Sequence, residues 1–159
     1  MKLSQAFAVV ALTCVISVAA SALDVTKSVT VDATPAVAWK TIGDFCGIAD
    51  WHPAIAKCEL STEGKSTLRT LTLGGGGTIV EKQLSRSNAT RRYSYSAVSG
   101  PLPVDHYKST MSVKKSGTGS IITWTGSFVA KGVPDEKAVE VIGGIYDGGL
   151  ASLQKKLAK

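Results

Sequence analysis

The chain is 159 residues long, 44% hydrophobic and 19% charged, which suits one folded domain and excludes a disordered or low-complexity chain. Two histidines and three cysteines are too few for most multi-ligand metal sites built on nitrogen or sulfur, so neither a metal nor a cofactor is expected. Lys and Arg outnumber Asp and Glu by 18 to 12, a net charge of +6. The basic residues lie in short pairs such as Arg91-Arg92 and Lys114-Lys115, without interleaved aromatics, which argues against a nucleic-acid groove and leaves a membrane surface or an acidic protein as possible partners.

The first 22 residues have the pattern of an export signal: Met1-Lys2, an apolar run from Ala6 to Val18, and small residues at Ala20-Ser21-Ala22. An uncleaved anchor is the alternative, but Thr13, Cys14 and Ser17 interrupt the run, which is short for a span of about 20 residues. The expectation is cleavage after Ala22, a single domain over 23–159, and a periplasmic or secreted monomer. Cleavage removes Cys14 and leaves Cys46 and Cys58, an even pair in an oxidising compartment. They are expected to close a short loop as a disulfide, with two unpaired buried thiols as the alternative. Asn88-Ala89-Thr90 fits the glycosylation pattern, which matters only in a eukaryotic secretory pathway.

Asp24 to Asp32 alternates as a first strand, with Val25, Lys27, Val29 and Val31 on one face. Thr34-Pro35 predicts a helix start with the threonine hydroxyl as cap, and Val37, Ala38, Ile42 and Phe45 continue its apolar face. A second short helical piece is predicted over Ile48 to Trp51. From Ala54 to Ala130 strand-like runs are broken at Glu63-Gly64-Lys65, Gly74 to Gly77, Ser87-Asn88, Ser99 to Pro103 and Ser116 to Gly119, which predicts six strands in an antiparallel meander. After Gly132-Val133-Pro134, a stripe of Ala138, Ile142, Ile145, Tyr146, Leu150, Leu153 and Leu157 predicts a long amphipathic helix. Gly143, Gly144, Gly148 and Gly149 weaken that helix, so it is expected to lie close to the sheet or to leave room beside it. The predicted class is α+β, a seven-stranded antiparallel sheet curved around the last helix.

This order resembles the helix-grip fold of the SRPBCC superfamily, which includes START domains, birch-pollen-type allergens and polyketide cyclases. The stretch Trp39 to Pro53, with Leu68-Arg69, Val80-Glu81-Lys82, Tyr93-Ser94-Tyr95 and Leu102-Pro103-Val104, resembles the polyketide-cyclase/dehydrase branch. Exported bacterial members and plant lachrymatory-factor synthases share the layout, with a cysteine near each of Cys46 and Cys58. The resemblance implies a ligand cavity between sheet and helix but fixes no substrate.

Alternation places Arg69, Leu71 and Leu73 on one face of their strand, and Ile79, Glu81 and Gln83 on one face of the next. A turn at Gly74-Gly75-Gly76 sets Arg69 opposite Glu81; a register one residue longer would set it against Lys82, which charge repulsion disfavours. The two alternatives are an inward ion pair in an apolar cup and a partly exposed pair that pins register. Tyr93 and Tyr95, then Tyr107, Ser109, Met111 and Val113, then Ile122, Trp124, Gly126 and Phe128 share inward faces. The tyrosines and Trp124 can line a pocket, whereas Met111 and Phe128 read better as core.

The candidate catalytic set is Arg69, Glu81 and Tyr107, and the resemblance to lachrymatory-factor synthases implies an arginine, a glutamate and a tyrosine at these places. Arg69 could bind an oxyanion, Glu81 move a proton and Tyr107 donate a hydrogen bond. Pairing with Arg69 is expected to lower the Glu81 pKa. Candidate ligand-binding residues are Trp51, His52, Leu71, Tyr93, Tyr95 and Trp124, although His52 reads more readily as the cap of a helix end. His106 is expected to point outward, and Gly74 to Gly77 form a flexible hairpin at the mouth rather than a phosphate loop. The leading function is binding of a small apolar or amphipathic ligand. The alternatives are a metal-independent cyclase, isomerase or hydratase, and an accessory protein that docks on a periplasmic enzyme.

Overall fold

A computed structural model describes residues 21–158. The predicted signal peptide therefore lies, but for its last two residues, outside the described residues. Strands β1 (Leu23–Val31), β2 (Ile55–Glu63), β3 (Ser66–Leu73), β4 (Thr78–Ser87), β5 (Arg92–Ser99), β6 (Val104–Ser116) and β7 (Gly119–Ala130) form one antiparallel sheet. Its order is β1-β7-β6-β5-β4-β3-β2, so the meander from β2 to β7 ends beside β1. Helices α1 (Pro35–Ile42) and α2 (Asp135–Lys156) complete the α+β helix-grip architecture. Among the described residues no helix is long and apolar enough to cross a membrane.

Helix α2 buries Ala138, Ile142, Tyr146, Leu150 and Leu153 against the sheet, which is the predicted stripe, with Ile145 half-buried. Lys27 of β1 reaches across to Asp147 of α2 at 2.7 Å, a surface pair that ties the helix to the sheet edge. Gly149 is the helix glycine that close approach requires, because a Cβ there would stand 2.6 Å from the His52 ring and 2.9 Å from Trp124. Gly144 and Gly148 face open space.

Three local expectations are corrected in detail. Thr34 is extended and its hydroxyl makes no cap hydrogen bond; instead its carbonyl accepts from the Ala38 N–H while Pro35 removes one donor that would need a partner. The second helical piece is a single 3-10 turn, Gly47–Asp50, started by the Asp44 carboxylate, which accepts from the N–H groups of Cys46 and Gly47. His106 is exposed, but through a bulge between Asp105 and Lys108 that puts it at φ 54°, not through plain alternation.

Candidate ligand cavity

The β3–β4 register pairs Arg69 with Glu81 and Leu71 with Ile79. Both charged side chains point into the interior, Arg69 at 0% and Glu81 at 5% exposure, so the pair is buried. Arg69 Nε donates to Glu81 Oε2 at 2.6 Å, and Nη1 donates to the Phe45 carbonyl. The guanidinium lies 4.2 Å from the Phe45 ring centre and 4.8 Å from that of Tyr95, in cation–π contact with both. Nη2 is buried without a hydrogen-bond partner among the described residues.

Burial pushes the Glu81 carboxyl above its ordinary range, and the Arg69 charge only partly offsets this. The expected lowering is thus reversed, because desolvation of the carboxylate outweighs a single ionic hydrogen bond. Burial also works against the Arg69 charge, but the Glu81 carboxylate outweighs it and the guanidinium stays protonated.

Phe45 is held in place from the next residue: Cys46 is joined to Cys58 of β2 in a disulfide with a Cα–Cα distance of 5.4 Å. The bridge fastens the α1–β2 connection to the sheet and fixes the Phe45 carbonyl over Arg69.

The adjoining wall, which shares Tyr95 with the Arg69–Glu81 pair, is neutral. Trp124 Nε1 donates to Tyr95 Oη at 3.0 Å and to Ser109 Oγ at 2.9 Å. Ser109 donates to the Thr125 carbonyl at 2.7 Å, and its Oγ also lies 3.1 Å from Tyr146 Oη. Tyr146 Oη is 2.6 Å from Tyr107 Oη, and its ring stacks on Trp124 with centroids 4.4 Å apart. Gly126 makes this possible, since a Cβ there would lie 2.1 Å from the Tyr146 hydroxyl. Burial raises the pKa of Tyr95 and Tyr107 well above the usual tyrosine value, and that of Tyr146 to about 12, so all three are neutral hydroxyls.

His52 is buried between this wall and α2. Its Nε2 lies 3.0 Å from the Ile145 carbonyl, and its Nδ1 accepts from the Ala54 N–H at 3.2 Å. These partners fix the tautomer with the proton on Nε2. Burial lowers its pKa below 6.5, so the ring is neutral at pH 7.

Between the walls lies a cavity of about 420 Å³, with α2 contributing Ile142 and Ile145 and the glycine turn Gly74 to Gly76 at its margin. Glu81, Tyr107, His52, Leu71, Tyr95 and Trp124 line it. Arg69, Trp51 and Tyr93 are absent from the lining and form a layer behind it; Tyr93 donates to Met111 Sδ at 3.1 Å. Met111 and Phe128 are core. Among the described residues no group of three His, Cys, Asp or Glu side chains is placed to hold a metal ion.

The family model for polyketide cyclase/dehydrase and lipid transport matches residues 22–158. The chain belongs to that family. Protein XoxI from Bacillus cereus is 34% identical in sequence and superposes with a TM-score of 0.80 over 84% of this chain and 94% of its own. An uncharacterised Bacillus thuringiensis protein is 33% identical, with a TM-score of 0.81 over 85% and 98% of the two chains. The Zhui aromatase/cyclase from Streptomyces sp. R1128 shares the fold at 20% identity, with a TM-score of 0.70 over 86% and 94%. Among curated proteins, none matches the chain.

Within this polyketide-cyclase family fold, sequence reasoning missed Phe45, Ser109, Gly126 and Tyr146 as parts of the site. Ser109 and Gly126 stood on the correct faces and Tyr146 on the correct helical stripe, so the available signal was which face each occupies. That Gly126 yields its space to Tyr146 depends on how α2 sits on the sheet, which no local pattern encodes.

Proposed function

We propose that the protein is exported and, as a monomer, holds a small apolar or amphipathic ligand between its sheet and α2, with no metal or cofactor. The observation that carries this reading is the cavity of about 420 Å³, walled by aliphatic and aromatic side chains with a few converging polar groups. The disulfide is in keeping with an oxidising compartment. An open cavity also weighs for binding over docking on a partner enzyme. Native mass spectrometry of protein purified from its own exported fraction tests it. The expected result is a bound small molecule that is lost when Ile142→Trp fills the cavity while the thermal transition stays cooperative. The same bound mass in both proteins would place the ligand elsewhere and refute the reading.

The buried pair favours a second reading, in which the bound molecule also reacts. A carboxyl group whose pKa burial raises, on the cavity wall and paired to a fixed cation, is placed to move a proton, with Arg69 setting its charge and Tyr107 orienting the substrate. Glu81→Gln, which keeps shape and removes the titrating group, would abolish turnover and leave apolar binding largely intact. Equal turnover by both proteins would eliminate catalysis by Glu81.

A further inference from the structure

The hydrogen bonds of the neutral wall have a direction, and one carbonyl sets it. The Thr125 carbonyl can only accept, so the single Ser109 proton is committed to it at 2.7 Å. The two lone pairs of Ser109 Oγ then face Trp124 Nε1, which can only donate, and the Tyr146 hydroxyl, which must donate because Ser109 has no second proton. With its proton spent on Ser109, Tyr146 can only accept across the 2.6 Å contact with Tyr107, so Tyr107 donates. What remains to Tyr107 on the cavity wall is a lone pair. Tyr95 is the reverse: its oxygen accepts from Trp124 Nε1, and its own proton has no acceptor among the described residues.

We infer that the cavity reads its ligand through this polarity, with Tyr107 as an acceptor and Tyr95 as a donor. The ligand is then an apolar molecule that carries an O–H or N–H group for Tyr107 and an acceptor oxygen for Tyr95. The two rings are neighbours, with centroids 6.2 Å apart, and both line the cavity, so one small molecule can meet both. Tyr146, which is not among the lining residues, is a positioning residue that holds the Tyr107 proton away from the ligand. This assigns Tyr107 the opposite sense to the hydrogen-bond donation expected from its sequence position. It rests on the reading of this cavity as the ligand site.

The test uses two aromatic probes, 2-naphthol, which donates and accepts, and 2-methoxynaphthalene, which only accepts, titrated by fluorescence into the wild type and Tyr146→Phe. The wild type is expected to favour 2-naphthol by about five-fold, the worth of one hydrogen bond. Tyr146→Phe leaves Tyr107 without its acceptor and frees its proton, so the preference should vanish or reverse. A purely structural role for Tyr146 would weaken both probes together and leave their ratio unchanged, which would overturn the inference. So would a wild type that takes both probes equally.

A second measurement covers failure of the cavity reading itself. If neither probe binds the wild type, the polarity is still decided by the tyrosine hydroxyl protons of the ligand-free protein. With carbon-13 at the tyrosine ζ position, a slowly exchanging proton in mixed light and heavy water splits the signal of the ring that owns it. Slow, split signals for Tyr107 and Tyr146 with a fast, unsplit Tyr95 support the assignment. A fast Tyr107 hydroxyl overturns it.

Discussion

The two polar walls of the cavity are both buried and are stabilised in opposite ways. On the Tyr107–Tyr146 side every hydroxyl but that of Tyr95 gives its proton to a neighbour, and Ser109 uses all three of its hydrogen-bonding positions. On the Arg69–Glu81 side a full charge pair sits in an apolar surround, with Arg69 Nη2 left over. A saturated neutral network adds rigidity at modest cost. A buried ion pair rarely stabilises a fold better than well-packed apolar residues would. The difference teaches that the first wall is built to hold its shape, and the second is kept for what its charges do.

Four changes would break or sharpen that contrast. The largest effect is expected from Glu81→Ala, which strands the buried Arg69 charge and should cost about 3–5 kcal/mol in urea unfolding. The double change Arg69→Met, Glu81→Leu should recover most of it, and a single-variant loss below about 1 kcal/mol would mean that the pair is effectively solvated. Next, Cys46→Ser with Cys58→Ser should cost about 3 kcal/mol through loop closure. It should also loosen the Phe45 carbonyl from Arg69, seen as faster amide exchange in the α1–β2 connection than in β6. Unchanged exchange would separate the bridge from the charged wall.

On the neutral wall, Gly126→Ala should cost about 2 kcal/mol by overpacking against the Tyr146 hydroxyl, and Tyr146→Phe in the same chain should relieve part of it. Strict additivity of the two would contradict the contact. The smallest effect is a pH slope from His52, whose folded pKa lies below its unfolded value of about 6.5. The unfolded chain therefore binds the proton first: stability is full above about pH 6.5 and falls as the pH drops through the window below it. His52→Gln should flatten the melting temperature between about pH 7 and about pH 5. An unchanged slope would assign it to other groups.

The strand register was legible because a period of two and a short glycine turn leave few ways to pair β3 with β4, and a slip would set Arg69 against Lys82. The order of elements was legible for the same reason, since each turn sat at a cluster of Gly, Ser, Asn or Pro residues. What escaped depends on tertiary distance. The Glu81 shift turns on how completely the sheet and α2 exclude water. The separation of Trp51 and Tyr93 from the cavity turns on which aromatic ring stands in front of which. Thr34 resembled a cap by residue type, yet the loop geometry turned its hydroxyl away from the helix N–H groups.

The close approach of Gly126 to Tyr146 has a consequence for anyone reshaping this pocket. The two positions behave as one unit: the sheet holds a side chain at 126 more readily once the helix gives up its hydroxyl at 146. A library that randomises only the visible lining reaches neither position, and one that varies 126 alone meets the Tyr146 hydroxyl at every side chain it tries. Varying 126 and 146 together would open that wall while leaving the charged one as it is.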